Sequence, residues 1–286
     1  MAEARGESAR SPGPVKNGER GAALYLYLAY GRSPATEREL RYSFETLRAE
    51  AADAPIAIYT DRPAAYADLS ATVVDATSLI ATAHVHEYRH RLKPIILVDA
   101  LARFGRPCVM LDLDSFIRPG FAARVQAALQ QGAAMNFLVR ADAYPDSPAF
   151  EAELPHLGRH DLGKAPMLNS GLVAVSPAHL PLIEDAVALI DALWSAGLRR
   201  HDIEQFAIGE TLRLGGVNIA FIDDVFVHYC ARWSRRYMRR KLRRRAPGEG
   251  VAYSKARVRL FKASWTLRLA MRKARRFIRG AKWRKT

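Results

Sequence analysis

Apolar runs alternate along this chain with segments in which apolar residues recur every three or four positions. The runs predict β-strands, and the periodic segments predict α-helices. Strands are predicted at residues 22–30, 55–59, 73–74, 109–111, 133–139, 167–175 and 217–222, and helices are predicted to begin at Pro34, Pro94, Phe121, Pro181 and Asp202. Because strands and helices alternate, the pattern predicts a three-layer α/β domain with a mainly parallel sheet over residues 21–230.

Charge is distributed unevenly along the chain. The formal net charge is +15, with 44 Lys and Arg residues against 29 Asp and Glu residues. Residues 231–286 hold 22 of the basic residues and a single acid, Glu249, so the preceding part of the chain is mildly acidic. The chain therefore combines an acidic domain with a strongly basic tail.

The sequence lacks the signals of a membrane span or of an oxidising compartment. Residues 1–20 are charged and rich in Gly, Pro and Ser. They lack the apolar core of a signal peptide. Their composition predicts a disordered leader. No apolar run approaches the roughly 18 residues of a membrane span, and Cys108 and Cys230 have neither disulfide nor zinc spacing. We expect a cytoplasmic protein.

The most specific stretch is residues 108–120. An apolar run, Val109–Leu111, is followed by Asp112 and Asp114, which a single leucine separates. Such a run suits a strand that is buried on both faces of a parallel sheet, and ligands of these sheets bind at the carboxyl ends of the strands. Two carboxylates at that position suit Mg²⁺ or Mn²⁺ shared with a substrate phosphate.

Three interpretations of these aspartates fit the local sequence. The pair resembles the DxD motif of GT-A glycosyltransferases, whose metal bridges the diphosphate of a nucleotide sugar. It also resembles the first motif of haloacid dehalogenase-type phosphatases, in which the first Asp is the nucleophile. The third interpretation makes both residues caps of a turn into Pro119-Gly120. The rest of the chain has to decide among them.

The order of motifs along the chain resembles that of GT-A glycosyltransferases. A cationic segment at 87–93, the Leu-Asp-Leu-Asp strand end, Asn-Ser-Gly at 169–171, an acidic helix start and His-Tyr at 228–229 follow in that order. The chain is most similar to the family of glycogenin and bacterial lipopolysaccharide glycosyltransferases, over most of residues 22–230. The resemblance implies a nucleotide-sugar donor and a glycan or lipid-linked acceptor. The family's His-x-x-Gly-x-x-Lys segment is missing after His228, so its diphosphate-binding lysine has no counterpart.

The resemblance also implies a metal site. Asp112 and Asp114 match the family's metal motif, and His228 matches its C-terminal ligand histidine. Two carboxylates and an imidazole would leave positions on Mn²⁺ or Mg²⁺ open for two phosphate oxygens. The alternative for His228 is a histidine that is only hydrogen-bonded near a strand end.

Donor binding is implied for Tyr30, Asp61, Arg91, Lys93 and Leu113. Tyr30 ends the first predicted strand, Asp61 follows the second, and Leu113 lies between the aspartates. A cation at Arg91 or Lys93 would neutralise the departing diphosphate. The alternative for these two residues is ordinary surface charge.

Two further groups complete the predicted site. Asn169, Ser170 and Gly171 supply an amide, a hydroxyl and a permissive backbone position for sugar or acceptor hydroxyls, although a turn or bulge uses the same residues. Asp202 and Glu204 are the acids that could orient or deprotonate an acceptor hydroxyl. Asp202 also fits a helix capping box with Gln205.

A phosphatase is the alternative enzyme. Lys164 could serve as its lysine, and Asp223 and Asp224 as its late acidic motif. Its first motif normally opens the domain, whereas here strands and helices precede Asp112, and no Gly-Thr or Gly-Val turn follows Ser115. The order of motifs therefore favours the glycosyltransferase.

The basic tail predicts contact with a membrane. Apolar residues share one face of the last predicted helix, namely Leu267, Ala270, Met271, Ala274, Phe277 and Ile278, and six cations lie opposite. A basic amphipathic helix of this kind predicts binding of residues 231–286 to an anionic membrane surface. A nucleic-acid arm and a helix docked on the domain are the alternatives, and the acidic domain argues against nucleic acid. We expect a peripheral protein on the cytoplasmic face of a membrane.

Overall fold

The computed structural model describes residues 22–84, 88–140 and 165–283. The strands are β1 (Leu24–Ala29), β2 (Ile56–Thr60), β3 (Thr72–Asp75), β4 (Cys108–Leu111), β5 (Ser115–Ile117), β6 (Ala133–Met135), β7 (Leu138–Arg140), β8 (Met167–Leu168), β9 (Leu172–Val175), β10 (Ile219–Phe221) and β11 (Phe226–His228). The helices are α1 (Pro34–Glu50), α2 (Thr77–His84), α3 (Leu92–Phe104), α4 (Phe121–Gln131), α5 (Leu180–Ser195), α6 (Ile203–Leu214), α7 (Arg232–Leu242) and α8 (Lys255–Trp283).

A seven-stranded sheet in the order β10-β6-β9-β4-β1-β2-β3 forms the centre of the domain. Strand β9 runs antiparallel to both of its neighbours, and the other pairs are parallel. Two short pairs, β5 with β11 and β7 with β8, lie outside this sheet. The predicted α/β fold with a mainly parallel sheet is confirmed, and it is consistent with the predicted GT-A arrangement.

Helices cover both faces of the sheet. Leu24 and Leu26 of β1 pack in the core with α3, α5 and α6, whereas Tyr25 and Tyr27 pack in the core with α1 and α4. Successive side chains of a strand point to opposite faces, so a strand with two covered faces is apolar throughout. This explains the unbroken apolar runs of the sequence and confirms the three layers.

The structure divides two of the predicted strands. The segment 133–139 forms β6 and then β7, which leaves the large sheet and pairs with β8. The segment 167–175 forms β8 and β9, with a break at residues 169–171. Asn136 holds both breaks together, since its backbone N–H donates to Asn169 O at 3.1 Å and its side-chain Nδ2 donates to Asn169 Oδ1 at 3.1 Å. The break therefore places residues 169–171 at the end of β4.

Capping residues explain one helix start and one helix end. The Ser33 side chain accepts a hydrogen bond from Thr36 N at 3.3 Å at the start of α1. Gly105, with φ +59°, ends α3. The capping box suggested for Asp202 is not formed, because its carboxylate makes no capping hydrogen bond within the described chain and binds Arg200 instead, at 3.0 Å.

Packing continues beyond the predicted domain boundary at residue 230. Tyr237, Met238 and Leu242 of α7 are buried against the domain. Arg239 donates to both carboxylate oxygens of Glu39, which is fully buried on α1, at 3.0 and 2.9 Å. A buried carboxylate is stable only when it is paired. The first helix of the basic tail therefore packs as part of the domain.

The structure describes only part of the predicted tail. No helix among them is long and apolar enough to cross a membrane. Leu267 and Met271 are exposed on α8, and the side chains that would complete the predicted amphipathic faces lie outside the described residues. The predicted leader and residues 141–164 lie outside them as well.

Candidate metal centre and active-site cleft

A cleft of about 1000 Å³ opens at the carboxyl ends of β1 and β4. The predicted site residues that line it are Tyr30, Lys93, Asp112, Leu113, Asp114, Asn169, Ser170, Glu204 and His228. Binding at the carboxyl ends of the strands is what a parallel α/β sheet favours, because the connecting loops gather there. The structure therefore brings most of the predicted residues into one place.

Asp112, Asp114 and His228 form the centre of the cleft. Strand β11 pairs antiparallel with β5 in a register that sets His228 opposite Ser115, the residue after Asp114. His228 Nε2 consequently lies 3.4 Å from Asp112 Oδ2 and 3.4 Å from Asp114 Oδ1. The three potential ligand atoms lie within 4.8 Å of one another.

Asn169 fixes the orientation of the imidazole. Its side-chain Oδ1 lies 2.9 Å from His228 Nδ1 and accepts a hydrogen bond from Gly171 N at 3.0 Å. An imidazole whose Nδ1 proton is donated to an amide oxygen presents the lone pair of Nε2 to a metal. The position of the ring also requires a glycine, since a Cβ at Gly171 would lie 2.1 Å from His228 Nδ1.

Asp114 and His228 shift each other's pKa values. Burial lowers the pKa of His228. The hydrogen bond to Asp114 and the charges of both aspartates raise it by more than burial lowers it, so the pKa is about 10. Burial raises the pKa of Asp114, but His228 and the Arg235 guanidinium lower it to about 2. Two carboxylates that face one imidazole thus attract a positive charge to this point, either as a proton or as a cation.

These residues fit a divalent cation. Asp114 Oδ2 is buried and forms no hydrogen bond within the described residues, although the Arg235 Nε lies 3.4 Å away, so this oxygen can still accept a further partner. Carboxylate oxygens with one imidazole nitrogen suit Mn²⁺ or Mg²⁺, and Mn²⁺ accepts nitrogen more readily. The predicted metal ligands are therefore placed as a metal site requires.

Lys93 connects Asp112 of the candidate metal centre to Ser170 and Glu204. Its buried ammonium lies 2.9 Å from Asp112 Oδ1 and 3.4 Å from Glu204 Oε1, and it donates to Ser170 O at 2.8 Å. Ser170 Oγ in turn donates to Glu204 Oε2 at 3.0 Å. Burial raises the pKa of Glu204, and the Lys93 charge opposes that shift. Lys93 is thus a buried structural cation of the site rather than ordinary surface charge.

Two of the predicted donor-binding residues are placed differently from expectation. Arg91 forms a two-pronged ion pair with Asp191 of α5 and does not line the cleft. Its predicted contact with a diphosphate is not supported, because its guanidinium is held by that pair. Asp61 acts indirectly, since its carboxylate accepts a hydrogen bond from Gly31 N at 3.1 Å and so holds the turn after β1 that lines the cleft.

Asp202 and the residues of the phosphatase alternative also lie away from the cleft. Asp202 pairs with Arg200 and is not among the lining residues, so Glu204 is the acid that the structure brings to the site. Asp223 and Asp224 are exposed, and Asp224 pairs with Arg124 at 3.6 Å. Lys164 lies outside the described residues.

Arg235 is a cleft residue that the sequence did not reveal. It belongs to α7, and its Nε lies 3.4 Å from Asp114 Oδ2 and 3.6 Å from Glu39 Oε1. In the sequence it is one of many cations in the basic tail, and no local signal separates it from its neighbours. Arg235 lies seven residues after His228, and the predicted resemblance to the glycogenin family, which implies a diphosphate-binding lysine shortly after that histidine, was a clue to it.

Substitution of Gly171 tests the geometry of the metal centre. In Gly171→Ala the new methyl group would displace the His228 ring and break its hydrogen bond to Asn169. We expect the affinity for Mn²⁺, measured by calorimetric titration, to fall by roughly 10–100-fold, as it does when the partner of a metal-ligating histidine is lost. Gly250→Ala is the matched control, because a Cβ there would meet no described atom within 4 Å. Unchanged Mn²⁺ affinity in folded Gly171→Ala protein would contradict the assignment of His228.

Comparison with known proteins leaves the family open. No protein-family model matches this chain, and no curated protein matches it. Among solved structures, the chain is similar to the apo form of mouse xyloside xylosyltransferase 1, with a TM-score of 0.46 and 13% sequence identity over 70% of this chain and 85% of that one. The resemblance to the glycogenin and lipopolysaccharide glycosyltransferase family stays a prediction. The activity therefore has to be inferred from the residues of the cleft.

Proposed function

We propose that this protein is a metal-dependent glycosyltransferase that moves a sugar from a nucleotide-diphosphate donor to a glycan or lipid-linked acceptor. The observation that carries the proposal is the group formed by Asp112, Asp114 and His228 at the carboxyl end of a central strand. The group faces a cleft of about 1000 Å³, at the upper end of the roughly 300–1,000 Å³ of ordinary ligand pockets. A nucleotide sugar is a ligand of that size.

The residues of the metal centre would hold Mn²⁺ or Mg²⁺ beside the donor phosphates. A divalent cation bound there supplies a Lewis acid that neutralises charge on a leaving diphosphate. Arg235 adds a second positive charge on the same wall of the cleft, half-exposed and 3.4 Å from Asp114. We assign to it the diphosphate contact for which the sequence has no lysine, because a guanidinium binds phosphate oxygens in pairs.

The residues that follow β8, beside the metal centre, would hold the transferred sugar and its acceptor. Asn169 and Ser170 present an amide and a hydroxyl there, and Ser170 is fixed by hydrogen bonds to Lys93 and Glu204. Glu204 has a pKa raised by burial, which makes its carboxylate a stronger base towards an acceptor hydroxyl. We assign to Glu204 the role of orienting and deprotonating that hydroxyl.

We also propose that the protein works at the cytoplasmic face of a membrane, where a lipid-linked acceptor would lie. The support for this is the exposed apolar surface of α8, including Leu260 and Leu267, beside the cations of α7. A basic helix with an apolar face gains both electrostatic and hydrophobic attraction to an anionic bilayer.

The experiment that tests the activity is a panel of nucleotide sugars. Each is added to the protein with Mn²⁺, with Mg²⁺ or with a chelator, and the melting temperature and the release of nucleotide diphosphate are measured. We expect at least one nucleotide sugar to raise the melting temperature and to be slowly hydrolysed only when metal is present. Release of phosphate from simple phosphomonoesters, without any effect of nucleotide sugars, would instead establish the phosphatase.

A further inference from the structure

A second pocket, of about 530 Å³, lies between α7 and α8 and shares no lining residue with the cleft. Arg240, Lys241, Arg244 and Arg245 form its charged wall, and Tyr237 and Phe261 form its aromatic wall. At 3.6 residues per turn, Arg240 and Lys241 lie on a different side of α7 from Arg235 and Arg239, which face the domain, and Arg244 follows the end of the helix. The helix therefore presents one cationic side to the cleft and a separate one to this pocket.

The two cationic sides of α7 differ in their partners. On the domain side, Arg239 pairs with Glu39, and Arg245, which lines the pocket, pairs with Glu45 of α1. On the pocket side, Arg240, Lys241 and Arg244 have no carboxylate partner among the residues that the structure describes. The one acid of the pocket wall, Glu249, accepts a hydrogen bond from Ala246 N at 3.2 Å. The described lining of the pocket thus holds four cations and one acid, Glu249, and this excess of positive charge favours an anionic ligand.

The walls of the pocket are fixed by contacts of their own. Tyr237 is buried, and its hydroxyl donates to Ala252 O at 2.9 Å. Phe261 of α8 packs edge-on against Tyr237, with ring centroids 5.7 Å apart. Val251 N donates to the Tyr42 hydroxyl at 3.3 Å, which ties this wall to α1. A pocket that is already ordered binds its ligand without the entropy cost of assembling its walls.

An exposed apolar stripe borders the pocket. Leu260, Ser264, Leu267 and Met271 follow one another at spacings of four, three and four residues, which places them on one face of α8. Ser264 lines the pocket, and the three apolar side chains are 70%, 61% and 45% exposed. A ligand that joins a phosphate to an apolar chain would satisfy both surfaces at once.

We propose that this pocket binds the phosphate group of an anionic lipid, whose chains lie along the apolar stripe of α8. Lys and Arg side chains are the usual ligands of phosphate oxygens, because their charged donors form strong hydrogen bonds with them. The site goes beyond the membrane contact proposed above, since it is a defined pocket rather than a general attraction of the tail to negative charge. It uses none of the residues assigned to the catalytic cleft.

The test is a comparison of two double variants of the full-length protein that remove the same charge. Lys241→Gln/Arg244→Gln neutralises the pocket, and Arg232→Gln/Arg243→Gln neutralises exposed cations of the same region that do not line it. Binding is measured by co-sedimentation with phosphatidylcholine vesicles that contain phosphatidic acid. We expect the pocket variant to lose at least about tenfold more affinity than the control variant, because a diffuse attraction would weaken equally in both.

Several outcomes would overturn this proposal. Equal losses in the two variants would show diffuse attraction to charge. Pocket-dependent binding of inorganic phosphate or duplex DNA by a protein that ignores the vesicles would exclude a lipid ligand. Both variants should keep the metal-dependent stabilisation by nucleotide sugars, so a failure of the pocket is distinguishable from a failure of the proposed glycosyltransferase activity.

Discussion

Replacement of Asp114 by asparagine should abolish the metal-dependent chemistry of this protein. The carboxylate is buried, lies 3.4 Å from His228 Nε2, and has a second oxygen without a hydrogen bond in the described chain. Asparagine keeps the shape but loses the charge that a hard cation requires. When the residue that hydrogen-bonds a metal ligand is lost, metal affinity falls roughly 10–100-fold. Loss of a ligand itself should lower the affinity for Mn²⁺, measured by titration, by more than that.

The control for this variant is Asp223→Asn. Asp223 is an exposed acid that lies outside the cleft, so its loss changes the net charge equally without touching the site. It should leave Mn²⁺ binding and any metal-dependent hydrolysis of nucleotide sugars unchanged. If Asp114→Asn is folded by circular dichroism and still binds Mn²⁺ with the affinity of the natural protein, the metal centre has been wrongly assigned.

Replacement of Lys93 by methionine should cause the largest loss of stability. Methionine fills much of the same volume but leaves the fully buried Glu204 without the cation that lies 3.4 Å from its carboxylate. Breaking a buried ion pair by removing one partner costs about 3–5 kcal/mol. We expect a loss of that size in the free energy of unfolding, measured with denaturant, together with loss of metal-dependent activity because Asp112 loses its 2.9 Å contact as well.

The pH dependence of this variant has a definite sign. Burial raises the pKa of Glu204 above its ordinary value of 4.5, and in Lys93→Met no lysine opposes the shift. A carboxyl whose pKa is raised by folding stabilises the protein while it is protonated and loses that contribution as pH rises through the folded-state pKa. The stability deficit should therefore be smallest at acid pH and grow towards neutral pH. The double variant Lys93→Met/Glu204→Gln should recover much of the loss at neutral pH, and failure to do so would show that the pair is not the cause.

Local sequence patterns predicted the sheet and the metal motif well, because both depend on residues close together in the chain. An apolar run followed by Asp112 and Asp114 identifies a buried strand and its carboxyl end without reference to the rest of the fold. The role of Asp202 could not be decided in the same way. An acid at a helix start is compatible with capping, catalysis or an ion pair, and only the neighbouring Arg200 decided among them.

The sequence was enough to predict the three-layer α/β domain, the position of the paired aspartates at a strand end, and the contrast between an acidic domain and a basic tail. Each of these follows from periodicity, adjacency or composition, which are properties of short stretches of chain. The tertiary structure was needed to show that His228 lies beside both aspartates, through the register of β5 with β11, and that Arg91 pairs with Asp191. It also decided that Arg235 of the basic tail reaches Asp114, because such contacts depend on how distant segments pack and no local pattern specifies them.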